Sequence, residues 1–325
     1  MAFVARRLGF YLVAFLVAAS INFLIPRLMP GDPIDIMFSQ SGTRLSVENI
    51  AALKATFGFV DGPLWQQYLA YLGSVFTGDL GMSVKYFPIP VSEVLGRALV
   101  WTLFLMGGAT LFSFTLGTLL GVIAAWRRGS RFDVTVSTSA IVFTATPAVV
   151  VSLFGLFVFG FTLKWFPTGY AADTGIDPAF SAEYILSIVY HAILPMATLS
   201  LVLTGDFLVT MRNNMINLLG EDYITMGRAK GLSDRRVMLM YGARNALLPG
   251  VTSLAIAIGK ILGGSLVTEV VFNYPGLGNT LYKAILGRDY PVIQGQLLIM
   301  TLAMLTANFL ADVTYAFLDP RLRKS

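Results

Sequence analysis

Six stretches of about 20 predominantly apolar residues, each long enough to cross a hydrocarbon core, restrict what this chain can fold into. They fall at roughly 8–28, 99–125, 134–161, 192–211, 248–271 and 293–317. Of the 325 residues, 56% are hydrophobic and only 13% are charged, against about 25% charged in soluble domains. So few charges cannot cover a water-facing surface, and the fold class is all-α: a polytopic membrane protein with six transmembrane helices. The first stretch follows Arg6-Arg7 in the manner of a secretory signal. Its apolar run continues past Ala18-Ala19-Ser20 through Asn22-Phe23-Leu24-Ile25, which favours an uncleaved anchor.

Basic residues set the orientation. Arg6 and Arg7, then Arg127, Arg128 and Arg131, six more from Arg212 to Arg244, and finally Arg321, Arg323 and Lys324 fall on one side. The short loops opposite hold Lys164, Lys283 and Arg288. This excess places both termini in the cytoplasm, as an even number of spans requires. The resulting division is an N-terminal anchor at 1–29, an extracytoplasmic insertion at 30–98 and a five-helix core at 99–325 with a cytoplasmic loop at 212–249. Within the insertion, Ser46 reads as the cap of a short helix. Trp65-Gln66-Gln67-Tyr68-Leu69-Ala70-Tyr71-Leu72 spaces its apolar residues helically up to a turn at Gly78/Gly81. The insertion reads as one compact unit.

Several chemistries are excluded. The chain has no cysteine and one histidine, His191, so disulfides, thiolate catalysis and Cys- or His-rich metal sites are ruled out. His191 reads as an interfacial residue at the outer start of the fourth span. No Gly-x-x-x-x-Gly-Lys-Ser/Thr loop is present to cradle ATP phosphates, and the net charge of +5 is not spread as a nucleic-acid surface requires. An intramembrane enzyme would need a nucleophile and base or paired acids inside the bilayer. The chain is therefore not read as an enzyme, and it binds no cofactor itself.

The loop between the fourth and fifth spans is the least membrane-like part. The segment before Gly231 suits a short helix, and Gly231 suits a left-handed helix end. Ser233 is placed to cap a second helix over 234–245, with Arg236 where a capping box would want Glu. Pro249 then returns the chain to the bilayer. Two short helices meeting at a glycine hinge form a stiff projection suited to a partner's groove.

Asp222-Tyr223, Arg228-Ala229-Lys230-Gly231-Leu232-Ser233 and Arg244-Asn245-Ala246-Leu247-Leu248-Pro249 together resemble the coupling loop of dipeptide/oligopeptide-type ABC permeases. Pro30-Gly31-Asp32-Pro33, Gly78-Asp79-Leu80-Gly81-Met82-Ser83 and Phe166-Pro167-Thr168-Gly169-Tyr170 extend the resemblance. So do the run from Glu269 to Gly278, Arg288-Asp289-Tyr290-Pro291 and Leu318-Asp319-Pro320-Arg321. The resemblance implies a permease subunit of an ATP-driven importer in a bacterial or archaeal cytoplasmic membrane. Its implied partners are a second homologous permease, two ABC ATPases carrying ATP and Mg, an extracytoplasmic substrate-binding protein and membrane lipid. The implied coupling residues are Glu221, Asp222, Tyr223, Arg228, Ala229, Lys230, Gly231, Leu232 and Ser233. Thr225, Met226 and Gly227 depart from the Glu-Ala-Ala of the broader importer motif, and Gly227 should soften the first helix by up to about 1 kcal/mol. Implied cargo is di- or oligopeptides, with cello- or xylo-oligosaccharides and nickel chelates as alternatives. A channel or secondary carrier is the reading from another class, disfavoured by the lack of recognisable inverted repeats.

Three ionisable residues fall in or near spans, where each costs several kcal/mol: Asp206, Lys260 and Glu269. Asp206 and Lys260 either pair between the fourth and fifth helices or are separately hydrated in the pathway. Glu269 belongs to the outer end of the fifth span. Gly259, Gly263 and Gly264 permit close helix packing, and Pro147 and Pro195 are placed to kink the third and fourth spans.

Overall fold

A computed structural model describes residues 2–28, 62–261 and 265–318. The capping signal at Ser46, the Pro30–Pro33 motif, Gly263, Gly264 and Asp319-Pro320-Arg321 lie outside the described residues, as does the side chain of Lys260. The elements are α1 (Ala2–Leu28), α2 (Leu64–Thr77), α3 (Val91–Trp126), α4 (Arg131–Ala145), α5 (Ala148–Gly155) and α6 (Ala182–Leu219). They continue with α7 (Asp222–Ala229), α8 (Arg244–Ile261), α9 (Leu266–Val271), α10 (Leu277–Leu286) and α11 (Tyr290–Leu318). A π-helical run, Leu156–Thr162, extends α5, and a single turn, Asp234–Arg236, followed by a second π-helical run, Val237–Ala243, leads into α8. Among the described residues the only extended pairing is an isolated bridge between Met82 and Pro90.

Four described helices are long and apolar enough to cross a membrane, in Arg6–Ile25, Val91–Trp126, Ala182–Leu218 and Tyr290–Phe309. The expected third span is not one kinked helix. Its halves α4 and α5 meet at 101°, because Pro147 offers no N–H to the preceding turn and forces Thr146 out of the helical region to ψ 127. It counts as a fifth span only if the bent pair is taken together. The expected fifth span is divided between α8 and α9, with three residues outside the described set between them. Among the described residues four spans are present, or five with the bent pair, where six were expected. Pro195 lies inside α6, which continues through it.

The chain forms two compact units. The first holds residues 1–102, 262–266 and 275–325. In it α2 lies along α1: Tyr68 Oη is 2.6 Å from Ser20 Oγ, Asn22 donates to Tyr71 Oη at 3.1 Å, and Arg27 donates to Gln67 Oε1. Phe23 packs edge-on to Tyr68. The helix expected around Trp65–Leu72 thus forms and closes at Gly78, whose φ of 74° suits a residue without Cβ. It is bonded to the anchor helix, however, rather than standing apart from it.

A carboxylate organises the rest of this unit. Asp289 is fully buried. It accepts from Ser83 Oγ at 2.5 Å and from the backbone N–H groups of Val84, Lys85 and Val292 at 3.0–3.3 Å. Two motifs more than 200 positions apart, at 78–83 and 288–291, therefore form one knot. It sets the starts of α3 and α11 above a core of Val91, Leu95, Leu277, Leu281 and Tyr290. Burial, with the Asp289 charge second, pushes the nearby Tyr86 phenol above its ordinary pKa.

The second unit, residues 103–261 and 267–274, is built on α6. A Cβ at Gly117 or Gly121 of α3 would stand 2.7 Å from the Thr204 or Leu208 carbonyl of α6. A Cβ at Gly205 of α6 would stand 2.7 Å from the Ala140 carbonyl of α4. These backbones touch because glycine leaves nothing between them. On the far side, Tyr170 N–H donates to Phe272 O at 3.2 Å, joining the 166–170 and 269–278 motifs in the same way that Asp289 joins the other two.

Candidate functional site: the loop at 221–249

The loop is rooted in the second unit. Val122 and Ala125 of α3, Met211 and Met215 of α6, and Ala246 of α8 form a buried cluster, with Trp126, Met238 and Ala243 packed against it. Above this root, α7 begins after Glu221, which occupies the cap position without a side-chain cap bond. The apolar inward side of α7 is Ile224, 1% exposed, with Gly227 beside it. The Tyr223 hydroxyl is buried and makes no hydrogen bond among the described residues.

α7 stops as its sequence predicts. Gly231 takes φ 73°. Its N–H bonds the Arg228 carbonyl, and the Leu232 N–H reaches back to the Gly227 carbonyl at 3.3 Å. This doubled closure is a Schellman turn, which satisfies carbonyls that the helix end would otherwise orphan. It presents Arg228, Ala229, Lys230, Gly231 and Ser233 exposed at the tip, with Leu232 half-buried and Glu221 and Asp222 exposed at the helix start. The Arg228 guanidinium lies 5.4 Å over the Trp126 ring, tying the tip to the end of α3 by a cation–π contact.

The second arm differs from expectation in two respects. Ser233 stands at the cap position, but its side chain accepts no cap bond. The backbone does that work, its carbonyl taking the Arg236 and Val237 N–H groups, and Arg236 supplies no reciprocal acceptor. Nor is there a separate helix over 234–245. The helical path runs from Asp234 through the π-helical run into α8, and Pro249 lies inside α8 rather than at a re-entry corner. One continuous rod therefore links the tip to the apolar span.

Residues 117–324 match the family described as binding-protein-dependent transport system inner membrane component. Residues 1–100 match its N-terminal companion. The chain belongs to this family. It is 36% identical to the di/tripeptide transport system permease protein DppB of Pseudomonas aeruginosa, with 99% of each chain covered. It is likewise 36% identical to the dipeptide transport system permease protein DppB of Escherichia coli, with 99% of this chain and 98% of that one covered. To the oligopeptide transport system permease protein AppB of Bacillus subtilis it is 32% identical over 99% of both. The permease is thus a multi-pass inner-membrane component of a binding-protein-dependent transporter.

The remaining residues singled out in the permease lie apart from the loop. Asp206 is exposed on α6 and makes no hydrogen bond or ion pair with another described side chain. A pairing with Lys260 falls outside the described residues. Glu269 is completely buried in α9. His191 lies on α6, its Nδ1 2.8 Å from the Ser187 carbonyl. It borders a cavity of about 630 Å3 shared with Thr168, Asp173 and Tyr190.

The sequence reading missed the ion pair that braces the loop's base. Arg212 of α6 donates twice to Asp133 of α4, Nε at 2.6 Å and Nη2 at 2.8 Å. Asp133, 2% exposed, also accepts from Gly129 N–H and Ser137 Oγ. Arg212 had counted only as a topological charge. A signal for Asp133 existed: Ser130-x-x-Asp133 before an apolar run is a capping pattern, and Ser130 Oγ does accept from Asp133 N–H.

Proposed function

We propose that this permease forms half of an inward pathway for di- and oligopeptides, powered by ATPase subunits that dock on the 221–249 loop. The carrying observation is the Schellman-closed tip at Arg228–Leu232, exposed at the end of a rod that runs unbroken into α8. A push on such a tip reaches the apolar core without being absorbed by a flexible joint. Loop and termini face the cytoplasm under the positive-inside tally. A second homologous permease completes the pathway, two ABC ATPases hydrolyse ATP with Mg outside this chain, and a binding protein delivers cargo from the opposite side. The relatives named above carry peptide names, which favours peptides over oligosaccharides or nickel chelates.

The test is to coexpress the permease with its partners and substitute the tip with Arg228→Glu and Ala229→Asp. The variant permease is expected to reach the membrane with an unfolding midpoint lowered only by the lost Arg228–Trp126 contact, about 0.5–1 kcal/mol, to lose the copurifying ATPases and to abolish peptide uptake into proteoliposomes. Undiminished copurification and uptake would overturn the docking assignment.

A further inference from the structure

α6 has two different faces along its C-terminal half. One is packed: Gly205, Leu208, Met211 and Met215 are buried against α3, α4 and the loop root. The other follows the helical repeat through Asp206, Thr210, Asn213 and Asn217, at intervals of four, three and four residues, which places them in one row. Asp206, Asn213 and Asn217 are exposed and Thr210 is half-buried. The row is about 16 Å long at 1.5 Å per residue, and its last member stands four residues before Glu221. Apolar exposure occurs elsewhere on the helix, at Ile193 and Leu201.

A row of this kind is not a lipid-facing surface. Asp206 lies six residues, about 9 Å, inward of Arg212, and a carboxylate within a span costs about 2.5 kcal/mol or more unless it is hydrated or paired. Lysine and arginine relieve such a cost by snorkelling on long stems; aspartate has a single methylene and cannot. Hydroxyl and amide groups lead from Asp206 to the end of the helix and offer water a path to the carboxylate.

We infer that the Asp206–Thr210–Asn213–Asn217 row lines the passage in its loop-side half, and that Asp206 holds the ammonium group of the passing cargo. The inference rests on the peptide reading above, since a peptide carries an ammonium at its amino terminus and often on a side chain. A fixed carboxylate at the head of a neutral polar row attracts that group over a short distance. The amides and hydroxyl below it exchange hydrogen bonds with the cargo without trapping it.

The natural absence of cysteine makes the test direct. Single variants Thr210→Cys, Asn213→Cys and Asn217→Cys are compared with Ile193→Cys and Leu201→Cys in the assembled transporter, reconstituted in proteoliposomes. Each is exposed to aminoethyl and sulfonatoethyl methanethiosulfonates, which are water-borne and of opposite charge. The row is expected to react and the two apolar positions to stay unreactive. At Thr210→Cys the cationic reagent should be favoured about tenfold, the low end of electrostatic focusing. Adding Asp206→Asn should abolish that preference, and Asp206→Glu should retain it.

Protection identifies the ammonium. Slowing of the cationic reagent by glycylglycinamide but not by its N-acetyl form assigns the α-amino group. Slowing by Nα-acetyl-lysinamide as well assigns any ammonium. Row positions no more reactive than Leu201→Cys, a charge preference indifferent to Asp206→Asn, or protection by none of the three compounds would each overturn the inference. A complex that takes up no peptide would instead defeat the peptide reading, while the accessibility comparison would still decide whether the row is wet.

Discussion

At Gly117, Gly121 and Gly205 a Cβ would lie 2.7 Å from a backbone carbonyl of the neighbouring helix. At Gly227, in the loop, the nearest atoms to such a Cβ are Tyr241 Cδ1 and Cε1 at 3.7 Å and Val237 Cγ2 at 3.8 Å, which is ordinary contact distance. The residue type is the same and the physical situation is opposite. In the core around α6, glycine is what allows helices to meet backbone to backbone. In α7, glycine leaves room and only costs helix stability. The core is thus built to keep one register, and the loop has slack that a substitution can fill.

The sharpest way to break this contrast is at the ion pair that closes the core. Arg212→Met should leave Asp133 buried and uncompensated, lowering stability by about 3–5 kcal/mol, whereas Arg212→Met with Asp133→Asn should recover much of the loss. Unfolding in detergent titrated with dodecyl sulfate measures both. An Arg212→Met variant as stable as the parent would show that the core does not depend on this brace. Gly121→Val comes next. Overpacking of this kind typically costs about 1–3 kcal/mol, and the Leu208 carbonyl cannot move without disturbing α6. The thermal midpoint should drop, and equality with the parent would mean that the two helices separate readily. The smallest effect carries the opposite sign. Gly227→Ala should stabilise α7 by up to about 1 kcal/mol, read as slower amide exchange across Asp222–Ala229, with ATPase docking retained. A destabilised Gly227→Ala would erase the distinction between the two regions.

What could be read from the sequence was what neighbours along the chain decide. Apolar runs located α1, α3, α6 and α11, and Gly231 announced its left-handed turn because positive φ is a local property. Gly263 and Gly264 of the fifth span lie outside the described residues; among the described ones, helix backbones approach within 2.7 Å of a glycine Cβ position at Gly117, Gly121 and Gly205. Nothing local distinguishes them, since the need for glycine depends on which helix lies opposite. Asp133 and Arg212 are 79 positions apart and Ser83 and Asp289 are 206 apart, so neither pairing can be seen without the fold. Pro147 was expected to kink its span. The 101° turn is larger, because a proline with an extended residue before it interrupts the helix instead of bending it. In the 221–249 loop, Ser233 has the right identity for a cap but its side chain makes no cap bond, and the π-helical run removes the expected boundary between a 234–245 helix and the span that follows it.

The bonding of α2 to α1 also bears on how such proteins are mapped. From Arg27 with Gln67, through Ser20 with Tyr68, the contacts descend to a cluster of Phe15, Ala19 and Leu298, against which Tyr71, Leu72 and Val75 pack. α2 therefore runs back along the anchor, level with residues in the middle of its apolar stretch. Bookkeeping that assigns every segment to a crossing or to a loop has no category for it. A reporter enzyme fused after Thr77 would follow a helix that lies against the anchor, and counting that helix as a crossing would invert the side deduced for everything after it.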